Sequence, residues 1–186
     1  GEAVAIVAGT YNSINNLDLE TFPIEWQPSK ESLSIKSSKD DNIENIHSDK
    51  KNNLLTVGKV VSGDPETIID KSAFKVSGHL ETSYVEHAYI EPEAGSAWMD
   101  GDTLVIQACT QAPIMDRDDT ANILGLKKEN VRIIPATAGG GFGSKLDVSI
   151  QPLLGLVTLK TKKPCRIVYT RNESMISTTK RHPSDM

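Results

Sequence analysis

Four glycines in five positions, Gly139, Gly140, Gly141 and Gly143, with Phe142 set among them, constrain this chain more than any other stretch. Glycine has no Cβ, so it tolerates positive φ and lets another group approach the main chain. Such a run can turn several N–H groups towards one anion. The apolar run from Val131 to Pro135 reads as a strand and Asp147 to Leu159 as a helix. A helix start would then add its orphan N–H groups to those of the loop. Phe142, a large apolar side chain inside the loop, either anchors it in the core or walls a pocket. Neither familiar phosphate motif fits. The triphosphate loop needs lysine before serine, whereas the order here is Gly143-Ser144-Lys145, and the dinucleotide fingerprint needs glycine where Ser144 stands. A plain turn joining strand to helix is the alternative to a binding loop.

The 186 residues suffice for one domain or one and a half, and 38% hydrophobic content supports a folded core. A net charge of −5, with no basic cluster interleaved with aromatics, argues against nucleic acid as a partner. No stretch approaches the ~20 apolar residues of a membrane span, and no signal peptide opens the chain. Cys109 and Cys165 lie in separate apolar runs without Cys-x-x-Cys spacing, which points to free thiols in a reducing, cytoplasmic setting rather than a disulfide or zinc site.

Taken in order, Glu2 to Ala8 reads as a strand buried on both faces, Ser13 to Thr21 as a short helix and Phe22 to Trp26 as a strand. Residues 29–53 carry lysines (among them Lys30, Lys36 and Lys39) against Asp40, Asp41, Glu44 and Asp49, the composition of a linker; His47 there has no partner at metal spacing. Leu55 to Val61 reads as a strand, Gly63 to Glu66 as a turn into a helical piece at Thr67 to Lys71, and Phe74, Val76, Gly78 and Leu80 as a half-buried strand. Asp100-Gly101-Asp102 between Ser96–Met99 and Thr103–Ala108 signals a hairpin. Pro113 starts a helix that Gly125 stops, with acidic residues near its first turn and Ile114, Met115, Ala121 and Leu124 facing inward. Pro164 to Tyr169 reads as a further strand. The alternation predicts an α/β (α+β) fold with mixed-sheet layers and a few packed helices.

Several blocks occur together and in order: Tyr84 to Pro92 (Tyr-Val-Glu-His-Ala-Tyr-Ile-Glu-Pro), Cys109 to Pro113 (Cys-Thr-Gln-Ala-Pro), Gly139 to Lys145, Tyr169 to Glu173 (Tyr-Thr-Arg-Asn-Glu) and Arg181-His182-Pro183. In these the segment from about Lys75 to Pro183 resembles the molybdopterin-binding region of the xanthine dehydrogenase and aldehyde oxidase family, the molybdenum hydroxylases. Residues 1 to about 27 resemble the end of the small α/β domain that precedes this region. The resemblance implies a preceding-domain tail at 1–28, a polar linker at 29–53 and the N-terminal part of the molybdopterin-binding domain at 54–186. It implies a fragment of an oxidoreductase that hydroxylates an aldehyde or N-heterocycle with oxygen from water. The cofactor would be molybdopterin carrying molybdenum, with iron–sulfur clusters, and in some members FAD, on other domains or subunits.

By the same resemblance Gln111 matches the glutamine that donates to the molybdenum oxo ligand. Gly141, Phe142 and Gly143 match the loop beside the cofactor, and Phe142 the phenylalanine that packs on substrate. Leu146 stands where purine-hydroxylating members carry an acidic residue, so an aldehyde or apolar heterocycle is expected in place of xanthine. The family's catalytic glutamate has no counterpart in these residues, and no side chain here is expected to ligate the metal. The expected partners are the remaining molybdopterin-binding domain and an iron–sulfur domain or subunit. Alone the chain should be inactive, with apolar surface that could drive dimer formation. His87 reads as a satisfied core histidine, and Lys145 either neutralises phosphate or sits solvated at a helix start. The reading from another class is a self-standing, non-enzymatic anion-binding or scaffold module.

Overall fold

The computed structural model describes residues 2–18, 20–40 and 42–186. Gly1 just before the first expected strand, Leu19 of the helix expected at Ser13 to Thr21, and Asp41 of the linker lie outside them. In chain order the helices are α1 (Tyr11–Asn15), α2 (Ile35–Ser38), α3 (Pro65–Lys71), α4 (Pro113–Leu124), α5 (Gln151–Thr161) and α6 (Arg171–Ser177). The strands are β1 (Glu81–Thr82), β2 (Ala94–Asp100), β3 (Thr103–Cys109), β4 (Val131–Ala136), β5 (Cys165–Val168) and β6 (Ser184–Asp185). Two compact units hold them, one of residues 1–17 and 83–183, the other of 18–82 and 184–186.

The first unit is built on a four-stranded sheet of order β4-β3-β2-β5. The Asp-Gly turn closes β2 and β3 into an antiparallel hairpin with Asp100 opposite Thr103. β4 returns parallel to β3 through α4, and β5 adds antiparallel to β2. β3 is the central apolar strand, and its Leu104, Ile106 and Ala108 join Ala97, Ile150 and Leu154 in the core. Gly155 lets α5 approach closely, since a Cβ there would stand 2.5 Å from Leu124 and 3.0 Å from Leu104. The mixed sheet with a few packed helices is the expected class. Cys109 is buried and Cys165 half-buried, both as free thiols.

Some expectations fail. Glu2 to Ala8 has no regular secondary structure and is largely exposed, with no strand paired to it among the described residues. The first helix lies at α1, earlier than expected, because the Thr10 hydroxyl caps it by accepting from Ser13 N. Phe22 to Trp26, Leu55 to Val61 and the alternating Phe74 to Gly78 form no ladder, and Val60, Phe74 and Val76 are almost fully exposed; Leu80 alone of the expected strand exchanges two backbone hydrogen bonds, with Met186, at the end of the β1–β6 pair. Their β-propensity reflects how a residue fits a half-buried pleated surface, and no such surface is supplied. In α4 it is Asp116, Thr120 and Ala121 that are buried, while Ile114 and Met115 are exposed; the helix meets β4 and α5 along the stripe that ends at Leu124. The helix expected from Asp147 starts at Gln151, where Pro152 occupies the first turn.

The second unit holds α2, α3 and the short β1–β6 pair, in which Glu81 faces Asp185. The Asp64 side chain caps α3 and Pro65 opens it. No helix among the described residues is long and apolar enough to cross a membrane.

Candidate functional site

The end of β4 runs into the glycine loop, and a single 3-10 turn over Ser144–Leu146 follows it in place of an α-helix. Two glycines supply conformation, Gly140 at φ 105° and Gly143 at φ 97°. Two others supply space. A Cβ on Gly141 would lie 2.3 Å from Gln111 Oε1, and one on Gly139 2.6 Å from Glu91 Cβ. Phe142 also sits in the left-handed region, at φ 52°, a conformation that costs a side chain about 1–2 kcal/mol. Strain of this kind gathers at functional sites. The residue is 74% exposed, so Phe142 does not anchor the loop in the core.

The loop amides do not all turn to one point. Gly139 N–H donates to Glu91 Oε2 at 2.7 Å and Gly143 N–H to Gln111 Oε1 at 3.1 Å. Ser144 N–H reaches Gly141 O at 2.9 Å and Leu146 N–H reaches Gly143 O at 3.3 Å. Three consecutive N–H groups, of Gly140, Gly141 and Phe142, have no acceptor among the described residues. The convergent nest expected from sequence is thus reduced to a short row of free donors, and no α-helix start joins it. Gln111, placed just beyond β3, adds a fourth. Because its Oε1 takes the Gly143 N–H, its Nε2 protons face away from that bond and are free to donate. Nothing lies within 4 Å of where a Gly143 Cβ would be, so that backbone can be approached. Gln111, Gly141 and Gly143 are therefore in direct contact. Leu146, one turn further on, is exposed.

Beneath the loop lies a cluster for which the sequence showed no local signal. Lys145 is 4% exposed; its Nζ donates to Glu91 Oε2 at 2.8 Å and to Glu91 O at 3.0 Å and sits 4.5 Å from the centre of the Tyr89 ring. Neither sequence reading of Lys145, phosphate partner or solvated side chain, survives. Burial would lower its pKa, but Glu91 and the nearby Cys109 raise it. Burial likewise pushes the Glu91 carboxyl up, and the bonds from Lys145 and Gly139 outweigh this and hold it below the usual range. Tyr89 donates its hydroxyl to the buried Glu93, and burial first, then that bond, raises the phenol's pKa. Arg171, at the start of α6, donates to the carbonyls of Tyr89 and Ile90. A Thr170–Glu173 capping box opens α6, a signal written in the sequence as Thr-x-x-Glu. Ser144 Oγ donates to Thr179 O at 2.8 Å.

His87 is half-buried and its Nδ1 has no partner, so it is not the satisfied core histidine expected. Among the described residues, only the exposed His79, Glu81 and Asp185 of the second unit stand close enough to share a metal ion. No such set surrounds the loop. Its chemistry is that of neutral donors beside an open backbone, which suits an oxygen-rich group that brings its own metal and does not suit direct ligation.

The family model of the molybdopterin cofactor-binding domain matches residues 46–186. The chain is 34% identical to the nicotinate dehydrogenase large molybdopterin subunit of Eubacterium barkeri, over 100% of this chain and 44% of that one. It is 29% identical to the xanthine dehydrogenase molybdenum-binding subunit of Escherichia coli O157:H7, over 98% of this chain and 24% of that one. It thus spans less than half the length of either relative. The aldehyde oxidoreductase of Desulfovibrio gigas shares the fold with a TM-score of 0.72 at 22% identity, covering 80% of this chain and 16% of that one. That of Desulfovibrio desulfuricans gives 0.74 at 23%, covering 84% and 18%. On the family match over residues 46–186 and relatives aligned along nearly its whole length, the chain belongs to the molybdopterin cofactor-binding domains of the xanthine dehydrogenase and aldehyde oxidase family.

Proposed function

We propose that this chain forms one wall of the active site of a molybdenum hydroxylase, holding molybdopterin through Gln111 and the Gly139–Gly143 loop. The observation that carries the reading is the orientation of Gln111, whose Oε1 is occupied by Gly143 N–H at 3.1 Å while its Nε2 is left to donate. The free N–H groups of Gly140, Gly141 and Phe142 supply further donors of no net charge. When bound, the cofactor supplies a two-electron redox centre for hydroxylation with oxygen from water. Donors fixed before the ligand arrives need no reorganisation as charge develops, which is where preorganised dipoles contribute most. Phe142 and Leu146, both exposed beside the loop, make the substrate-facing surface apolar and favour an aldehyde or apolar N-heterocycle. Proton abstraction falls to groups outside this chain, because the carboxylate nearest the loop, Glu91, is committed to Lys145.

The test is made on the full-length parent, which would carry the other walls and the iron–sulfur partners. Gln111→Ala should lower turnover of an aromatic aldehyde by about 10- to 100-fold, the usual effect of removing a group that orients a metal's surroundings. Molybdenum content and folding are measured alongside. Full turnover in a molybdenum-replete variant would overturn the assignment.

A further inference from the structure

We infer that Glu91 and Lys145 are positioning residues for the glycine loop: the buried pair sets where the free donors stand and withdraws the lysine's charge from the ligand face. The first part rests on geometry alone, and only its use in binding rests on the proposed function. Lys145 holds the loop at both ends. Its backbone carbonyl accepts from Gln111 N at 2.9 Å, which fixes the residue whose Oε1 receives Gly143 N–H. Its ammonium, through Glu91 Oε2, fixes the acceptor of Gly139 N–H. Glu91 N–H returns a bond to Gly139 O at 3.3 Å, so the loop entrance is clamped by two bonds to one residue. The three unpaired amides lie between these fastenings, at positions 140 to 142.

The charges are arranged to suit. The Lys145 side chain is 3% exposed and that of Glu91 29%, so the cation is the inner member and the carboxylate the one with access to water. The Tyr89 ring covers the ammonium, Cys109 acts on it from β3, Glu93 is engaged by the Tyr89 hydroxyl, and Arg171 is spent on the carbonyls of Tyr89 and Ile90. No cation is left to meet a phosphate from the loop itself.

The pair can be tested in the 186-residue chain without any cofactor, from the backbone amide resonances of 15N-labelled protein. Gly139 N–H, bonded to a carboxylate, should lie downfield and move upfield as pH falls below 4.5, the ordinary glutamate value. Gly143 and the Gln111 side-chain amide should move in the same transition. A carboxyl held low keeps its stabilising contribution above its unfolded pKa and loses it as pH falls through the folded one, so the order of events is fixed. Amides of Ala97 and Ile106 in the sheet serve as the control, because acid unfolding would shift them together with the loop. Lys145→Met and Glu91→Gln should displace Gly139, Gly143 and Gln111 resonances at neutral pH while leaving the sheet unchanged. A Gly143 resonance indifferent to both variants and to the acid transition would overturn the inference. Should a variant fail to fold, the wild-type titration still decides. In the full-length parent, variants that lose the loop signature yet keep full molybdenum and turnover would sink the proposed function and leave the positioning role standing.

Discussion

Gly141→Ala separates the site from the fold. A methyl group there would stand 2.3 Å from Gln111 Oε1, 2.7 Å from its Cδ and 3.2 Å from its Cγ, so the glutamine side chain has to move. Gly141 is not among the residues at positive φ, and alanine therefore adds no backbone strain. Gln111 is exposed and can swing into water at the loss of one hydrogen bond, that from Gly143 N–H. A hydrogen bond of this kind contributes about 1 kcal/mol net, which for a chain of this size lowers Tm by roughly 2–4 °C. Functional loss should be disproportionate, about 10²-fold in turnover of the full-length parent, because the donor is displaced from its place. Gly139→Ala makes the contrast. Its methyl would meet Glu91 Cβ at 2.6 Å, an atom fixed to the main chain, so overpacking of about 1–3 kcal/mol is expected. Thermal unfolding of both variants, with the Gly143 amide resonance as a local probe, decides the matter. A Tm fall of more than about 8 °C for Gly141→Ala, well past the expectation for one lost bond, or an unmoved Gly143 resonance, would refute the reasoning.

Gly155→Ala should cost only about 1 kcal/mol by chemical denaturation, since the gain in helix propensity offsets part of the overpacking against the flexible end of Leu124 and the buried Leu104. Gly95→Ala should cost about 2–3 kcal/mol, because its methyl would stand 2.8 Å from the backbone oxygen of Gln107; equal losses for the two variants would contradict this. Asp116 is fully buried and takes 2.9 Å bonding from Gln151 Nε2. Burial raises its pKa, against the pull of Thr110 and Gln151. A raised carboxyl pKa means the folded state binds the proton more tightly, so stability falls as pH climbs from the unfolded value through the folded one. Asp116→Asn should accordingly be more stable than wild type at neutral pH and lose that advantage below pH 3.8; an advantage that grows in acid would reverse the sign.

What the sequence revealed was mostly local. Asp100-Gly101-Asp102 makes its hairpin from contacts within a few residues, and Pro113 with Gly125 marks both ends of α4. The same reasoning misread Leu55 to Val61 and Phe74 to Leu80, whose apolar patterns are real but whose fate depends on a partner strand that pattern cannot supply. In α4, a helix with polar Asp116 and Thr120 on its buried stripe defeats the rule that Ile114 and Met115 must point inward, because Gln151 on α5 donates to one oxygen of the aspartate from 35 positions away. At the site, the residue types drew attention to Gln111 and the glycines, and the structure places them in contact. The Glu91–Lys145 pair, 54 positions apart, left no trace in spacing or composition. A lone lysine after a glycine loop looks like a phosphate ligand until its counter-charge is found.

That counter-charge bears on how the proposed site would treat a group that changes its own charge. A bare ammonium about 4 Å from such a group, at an effective dielectric constant near 20, would favour the more negative form by about 4 kcal/mol, or roughly a thousandfold in an equilibrium. A cation facing the cofactor would therefore bias its redox states more strongly than it would improve binding common to all of them. With Glu91 paired to Lys145, the loop presents dipoles instead: three backbone N–H groups and a glutamine amide, whose orientation is fixed and whose field at a ligand is weaker and shorter in range. Lys145→Met and Glu91→Gln should then differ in kind. The first leaves Glu91 as an unpaired carboxylate, 29% exposed and so hydrated in part by water. The second strands an ammonium that is 3% exposed, the arrangement in which breaking a buried pair costs most. The pair is thus better understood as one neutral, rigid part than as two charges, with the carboxylate placed outermost because hydration tolerates it there.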